Sequence, residues 1–402
     1  MSLSNVSLAE LSQREWDAVV VGAGTAGASA ALQLAARGQS TLLVEGKAFP
    51  RDKVCGGCLN QRAWMALAQL QRLAGQPTMP MQVLAAGAVP VDQMRLNCLG
   101  QEAKWSTPVM HAISRRTLDV VLVEASVGSG AVFCSETSAR VINDEAAQFR
   151  SLRLTNTRGE SCVVKAKSAI IADGLGHSSL SEFPEMASQV ESGSRIGLGA
   201  MIDDPSDAYA AHELTMAVGR DGYVGLTRVE YGRLNVAAAV DAGAMKSRGP
   251  LAVVISILES CRLPIPVGIE KVKWMGTLPL TRTSREVAAR RLFKIGDSAS
   301  YVEPFTGEGM SWAIQDAVNL SELLTTADVD DCDLMMTTWN EQWKRKLKSK
   351  QWVCRGLAGL LRHPRAASVS LVAARWLPWI PQWLIARASG VERTRMKPGV
   401  IG

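Results

Sequence analysis

Hydrophobic residues follow three patterns along this chain. Asp17–Gly22 (DAVVVG) is a continuous apolar, β-branched run, which predicts a parallel strand covered on both faces. Thr25 to Arg37 is Ala-rich and free of Pro, predicting a helix that Gly38 stops, and Ser40–Glu45 (STLLVE) predicts a second strand. Two later apolar runs behave like the first: SAIIADGLGHSS (168–179) reaches Asp173-Gly174, and RLFKIGD, at the head of 291–324, ends in Gly296-Asp297. The latter leads through a Pro/Gly loop into a predicted helix from Met310 to Leu324. In the second pattern, RIGLGAMID (195–203) and 213–241 alternate apolar and polar residues as antiparallel strands do, with Asp221-Gly222 and Tyr231-Gly232 as hairpin turns. The third begins after Lys350, where basic residues and tryptophans interleave and no domain is recognisable.

A chain of 402 residues suits two joined domains rather than one small core. The buried-strand segments assign 15–80, 110–180 and 275–340 to one discontinuous α/β domain. The remaining stretches, 81–109 and 181–274, form a substrate-binding domain in which the alternating segments 195–203 and 213–241 make an inserted antiparallel sheet, the substrate wall, and 341–402 is a helical, basic, Trp-rich tail.

The turn after the first strand carries chemistry. Gly22, Gly24 and Gly27 fit G-x-G-x-x-G. The first allows the tight turn, the second lets backbone approach a pyrophosphate, and the third lets helix meet strand. The helix N-terminus would face the phosphates, and Glu45 ends the second strand where a carboxylate accepts from a ribose diol. A βαβ unit with fortuitous glycines is the competing explanation. The later motifs, Asp173-Gly174 and Gly296-Asp297, are expected to contact the cofactor and decide which dinucleotide is bound. Asp297 suits a polyol chain, while Pro304, Gly307 and Gly309 let backbone approach a flat ring, and amides at Met310 would favour negative charge on that ring. One nucleotide turn plus a distant ribityl-and-ring site describes FAD; a nicotinamide site would not require the second half.

Composition removes other classes. The N-terminus, MSLSNVSLAELSQREW, lacks the basic head and apolar run of a secretory signal. The most apolar stretch, 371–386, is cut by Arg375, Pro378 and Pro381, short of the ~18 apolar residues of a membrane span. Eight cysteines in a chain this long make no dense disulfide framework, which points to reduced thiols in the cytoplasm. Net charge is +6, yet thirteen Lys/Arg face one acid, Glu392, from Lys344 onward. Six of the eleven tryptophans, Trp339, Trp343, Trp352, Trp376, Trp379 and Trp383, lie at that end. The tail is therefore either a peripheral contact with anionic membrane or a helical cap whose Trp face packs on the body. No nucleic-acid motif accompanies the charge.

Cys55-Gly-Gly-Cys58 has three readings: a metal half-site, for which no second pair or His cluster exists; a redox disulfide; or a structural loop. Arg51 and Lys53 either bind pyrophosphate or are solvated. His111 and His177 have no evident partner, and no metal site is expected.

With these motifs in this order, the chain resembles the flavoprotein superfamily of aromatic hydroxylases (p-hydroxybenzoate hydroxylase-like) and geranylgeranyl reductases, from Ala18 to about Leu324. The resemblance implies a GR2-type Rossmann-like FAD-binding domain with the inserted sheet and helical tail already read. SRRTLDVVLVEAS (114–126) is similar to the family's Arg-x-x-Leu-Asp helix, which implies that Arg115 approaches FAD. FPRDKVCGGCLN (49–60) is most similar to the reductase branch, which implies that Cys55 borders the flavin and places or protonates substrate. The sequence departs from the family where the arginine after the Asp-Gly serine is missing and where DGYVGLTRVEYGRLNVAAAV (221–240) stands in place of Tyr-x-Trp-x-Phe-Pro. Three functions remain open: reduction of a C=C bond in a bulky lipophilic substrate, hydroxylation of an aromatic or polyketide ring through a flavin C4a-hydroperoxide, or non-catalytic escort of a prenyl lipid. NAD(P)H is the donor the resemblance implies, without a separate binding motif.

Overall fold

The computed structural model describes residues 6–71, 75–144, 148–303, 307–326, 331–361 and 368. Its first sheet runs in the order Ala288–Ala289, Leu292–Lys294, Ser161–Ile171, Glu15–Val21, Thr41–Val44 and Val132–Cys134. The four pairings from Leu292–Lys294 across to Val132–Cys134 are parallel, with Val20 opposite both Leu43 and Ile170. Successive residues of the Glu15–Val21 strand point to different covers, which is why its apolar run is unbroken. Ala18 and Val20 face the helices Thr25–Ala36, Arg115–Gly128 and Gly309–Thr326. Val19 and Val21 face the antiparallel hairpin Thr137–Val141 and Arg150–Asn156. Thr25–Ala36 is buried over all but its last residue, and its alanines let the neighbouring helices approach closely.

The second sheet has eight strands, in the order Met275–Pro279, Ile196–Ile202, Leu234–Val240, Gly222–Arg228, Glu213–Gly219, Val89–Cys98, Gln101–Ala112 and Cys58–Leu59. It is antiparallel except where Glu213–Gly219 runs parallel to Val89–Cys98, a hairpin that enters from an earlier part of the chain. The Asp221-Gly222 turn forms, with Gly222 at φ 143° and its missing Cβ only 2.1 Å from the Ala239 carbonyl oxygen. The second turn is a tight helical turn, Glu230–Gly232, in which Tyr231 also has positive φ. Leu198, Val224, Leu226, Val236 and Val240 pack under Val253, Val254, Ile257 and Leu258 of the helix Ala242–Ser260.

Two expected boundaries move. The sheet continues through Met275–Pro279, where Leu198 pairs with Gly276, so 275 lies inside it rather than opening the next piece of the α/β domain. At the other edge Gln101–Ala112 continues past 109, and Cys58 pairs with Ala112. In both places backbone pairing with a strand distant in sequence carries the sheet past the expected boundary.

The helix Cys332–Leu361 begins before 341. Trp339 and Trp343 are buried in the α/β core, with Trp339 Nε1 donating to the Lys294 carbonyl at 3.1 Å. Asn340 Oδ1 accepts from the backbone N–H groups of Val287 and Ala288, which caps that sheet edge. These two tryptophans therefore belong to a packed cap; Trp376, Trp379 and Trp383, with Pro378 and Pro381, lie outside the described residues. No described helix is long and apolar enough to cross a membrane.

Candidate functional site

The three glycines after the first strand are needed for different reasons. A Cβ on Gly22, at φ 103°, would lie 2.5 Å from the Ala172 carbonyl oxygen, and one on Gly27 would lie 1.9 Å from the Gly22 oxygen. Both fix how the helix meets the sheet. A Cβ on Gly24 would meet only side-chain ends, Arg115 Nη2 at 3.2 Å and Arg51 Nη2 at 3.7 Å. Gly24 is also the N-cap of Thr25–Ala36, so backbone amides, a helix dipole and two guanidiniums converge on one open spot.

Arg115 is held there by a forked bond to Asp119, Nε and Nη2 to Oδ1 at 3.1 Å and Nη2 to Oδ2 at 3.0 Å. Burial by itself would lower its pKa; Asp119, followed by Cys55 and Asp297, outweighs burial and raises it, so the guanidinium stays charged. Asp119 is fully buried and also accepts from Thr25 Oγ1 and Arg51 Nη1. Arg51 Nη2 donates to Glu45 Oε2 at 2.7 Å. Glu45 accepts from the Ala23 N–H at 3.1 Å as well, which places its carboxylate against the glycine turn.

Gly296, at φ 59°, presses against the same helix, a Cβ there being 2.9 Å from Ala26 Cβ. Its N–H donates to buried Asp316, which is also bonded by Lys346 from the C-terminal helix. Asp297 is partly exposed and pairs with Lys53 Nζ at 3.2 Å. Asp173 Oδ2 accepts from the Ser179 N–H and Oγ, holding its own turn. Its Oδ1 is buried without a partner, and burial raises its pKa. Gly307, at φ 72°, would place a Cβ 3.4 Å from the Cys58 carbonyl oxygen, and Gly309 and buried Met310 start the helix Gly309–Thr326. Pro304 lies outside the described residues.

The two cysteines are not equivalent. Cys58 is buried, its Sγ donates to the Gly56 carbonyl at 3.6 Å, and burial, with Cys55 adding, pushes its thiol up to about 12. Cys55 is half-buried, and Asn235 of the second sheet fixes its carbonyl at 2.9 Å. Cys55 lines a narrow cleft together with Lys53, Arg115 and Arg116 of the first domain and Met201, Asn235 and Met275 of the second sheet. Among the described residues no group of three or more His, Cys, Asp or Glu is placed to hold a metal ion.

Both histidines have neighbours that the sequence did not disclose. His111 stacks on Trp64, centroids 4.0 Å apart and planes at 13°, and burial lowers its pKa. His177 Nε2 lies 3.0 Å from Ser188 Oγ. Asp119 sits one helical turn after Arg115, a spacing that could have revealed the pair. Glu230 gave no such signal: from the second sheet it accepts from the Ser114 N–H at 2.9 Å, from Ser114 Oγ and from Thr117 Oγ1 at 2.6 Å, capping the helix that carries Arg115.

The residues present fit FAD. Gly24 leaves open the space that a Cβ would fill beside two guanidiniums, Glu45 lies across that turn, and Gly296-Asp297 lies against the same helix. The chain is 27% identical to a menaquinone reductase of Mycolicibacterium smegmatis, across 88% of this chain and 86% of that one. It is 26% identical to a kynurenine 3-monooxygenase of Salinispora arenicola, across 78% of this chain and 74% of that one. Its fold matches a geranylgeranyl bacteriochlorophyll reductase-like protein of Thermoplasma acidophilum with a TM-score of 0.69 at 19% identity, covering 87% and 88% of the two chains. The family described as FAD binding domain matches residues 15–328; the chain belongs to it and is an FAD-dependent oxidoreductase.

Proposed function

We propose that this enzyme reduces a C=C bond in a bulky lipophilic substrate. The observation that carries the reading is the asymmetry of Cys55 and Cys58. One thiol is sealed in a strand pair, and the other is held at a cleft between the Arg115 groove and Met201 and Met275. FAD, when bound, supplies a two-electron carrier. The chain's own residues do the rest. Arg51, Arg115 and the Gly24 amide bind the pyrophosphate, Glu45 the adenosine ribose and Asp297 the ribityl chain, while Lys53 releases Asp297 as the polyol takes its place. Asn235 fixes the Cys55 backbone so that the proton on Sγ points at the reacting carbon. Met201 and Met275 seat the apolar part of the substrate and exclude water. NAD(P)H is the proposed electron donor.

The test is anaerobic: NADPH-reduced enzyme is mixed with candidate quinones and prenyl lipids, and reoxidation of the flavin is followed. Reoxidation without oxygen supports the proposal when mass spectrometry finds the two added hydrogens retained in the prenyl chain after any quinol has been reoxidised; quinol formation alone would refute it. Oxygen uptake that depends on an aromatic substrate would instead support the monooxygenase reading, which the likeness to the kynurenine enzyme favours.

A further inference from the structure

Trp105 Nε1 and Thr107 Oγ1, on the strand Gln101–Ala112, are buried and have no hydrogen-bond partner among the described residues. Both turn to the side of the second sheet that the Cys55 loop lies against. Leu198, Val224 and Val236 face the helix Ala242–Ser260, so residues at alternate positions face away from it. On that opposite side a Cβ on Gly199 would lie 3.3 Å from Val54, and Asn235 holds the Cys55 carbonyl. Met94 and Met216 lie there too; Trp105 packs against their cluster, and so does Tyr301 of the FAD-binding domain. Thr107, two positions further along the strand from Trp105, is 9% exposed.

An indole N–H can only donate, and a buried donor without an acceptor is costly to keep. A ligand that brings oxygen acceptors removes the cost. Two positions along a strand set the groups about 7 Å apart, close enough for one ring bearing oxygens on both sides. The surface between them and the Cys55 loop is apolar: Leu96, Leu214, Gly225 and Ala237 are half-buried there, with no charge among them. At its Tyr223 edge, Arg195 is already engaged by Glu303 and Asp241. Four strand steps separate Trp105 from Asn235, which holds Cys55, or about 19 Å at the usual spacing. A single ring cannot bridge that span, whereas a ring carrying an isoprenoid chain can.

We propose that Trp105 and Thr107 bind the head group of the substrate, a neutral ring with carbonyl oxygens whose isoprenoid chain crosses the sheet to Cys55. The inference rests on the reading that the reacting double bond lies at Cys55. The indole N–H and the Thr107 hydroxyl each donate to one oxygen, and Leu96 and Leu214 carry the chain.

The experiment measures binding rather than turnover, on the oxidised, FAD-loaded full chain in detergent. Equilibrium dialysis compares three probes with the same geranylgeranyl chain: a para-naphthoquinone, a naphthalene lacking both oxygens, and the phosphate. Wild type should hold the quinone about tenfold more tightly than the naphthalene, or better. Trp105→Phe and Thr107→Val should each weaken the quinone about fivefold, the worth of one neutral hydrogen bond, and leave the naphthalene unchanged. Thr107→Ser should restore the quinone. Because no hydrogen bond is lost in the ligand-free protein, Thr107→Val should hold or raise its melting temperature. Equal losses for both ring probes, no loss for either, or a lowered melting temperature with discrimination intact overturns the proposal. Failure of every probe to bind overturns it as well. So does tighter binding of the phosphate, which would seat the head group at Lys53 and Arg116 instead. If Trp105→Phe does not fold, the Thr107 variants carry the test. A quinone that binds through these donors but is not reduced in its chain leaves this inference standing and refutes the reductase reading alone.

Discussion

Gly24 and Gly27 belong to one motif, yet substituting them should break different things. At Gly27 a Cβ would lie 1.9 Å from the Gly22 carbonyl oxygen, so helix and strand must separate by about 1 Å. Replacing Gly by Ala inside a helix gains up to about 1 kcal/mol of propensity. Forcing a methyl into packed backbone costs roughly 1–3 kcal/mol, or more where backbone must shift. Gly27→Ala should therefore lower the stability of the FAD-free protein. At Gly24 the nearest atoms are guanidinium ends at 3.2 and 3.7 Å, which can swing aside, and φ there is −84°. Gly24→Val should leave the apoprotein folded while displacing the pyrophosphate from its amides and from Arg115. Losing a single charge-assisted hydrogen bond costs about 1.5–3 kcal/mol, so FAD affinity should fall by at least tenfold. The assay is a pair of measurements on FAD-stripped protein, urea unfolding for stability and fluorescence titration for FAD. Wild-type FAD affinity in Gly24→Val, or undiminished apoprotein stability in Gly27→Ala, refutes the division of roles.

Cys55→Ser should retain FAD but slow turnover at least tenfold, whereas Cys58→Ser should change it little; equal, negligible effects would make the loop structural. In the native protein, iodoacetamide should label Cys55 and spare Cys58, whose buried thiol sits at about 12, as peptide mapping would show. Burial, then Lys294 and Arg282, hold the His177 imidazole down at about 4 from 6.5. The unfolded chain therefore binds a proton that the folded one refuses as pH falls through that window, so stability is full above 6.5 and declines toward 4. His177→Gln should flatten this part of the urea-midpoint profile, and an unchanged slope would place the acid sensitivity elsewhere. The proposed membrane contact of the tail predicts capture by anionic liposomes that weakens with salt, since each basic residue near such a surface contributes about 1 kcal/mol within a Debye length. Truncation after Ser349 should abolish capture and leave FAD bound; loss of FAD or aggregation would mean that the tail completes the fold.

Much of the cofactor half was legible because its signals are local. Strand, glycines, helix and Glu45 fall within a single βαβ unit, where spacing determines geometry. The hairpin Val89–Cys98 and Gln101–Ala112 was harder to see, since Pro90, Asp92 and Arg95 interrupt its alternation and its burial is set by strands from elsewhere. The helix Ala242–Ser260 was hidden by Gly249-Pro250, where the backbone does kink, at φ 78°. The bond from Ser179 to one oxygen of Asp173 was not legible either, since six residues and a left-handed turn separate the two. For Trp339 and Trp343 composition left surface contact and packed cap both open, and burial against the edge of the first sheet decides for the cap.

Glu230 has a further consequence for how the halves of this enzyme can change. It belongs to a turn of the second sheet, yet it satisfies the first turn of the helix that carries Arg115. The second sheet is therefore not interchangeable. A chimera that imported another member's sheet would leave the Ser114 and Thr117 donors open and loosen Arg115, far along the chain from the exchanged segment. Recombination within such enzymes must carry position 230 together with 114–119, although 116 residues separate Ser114 from Glu230.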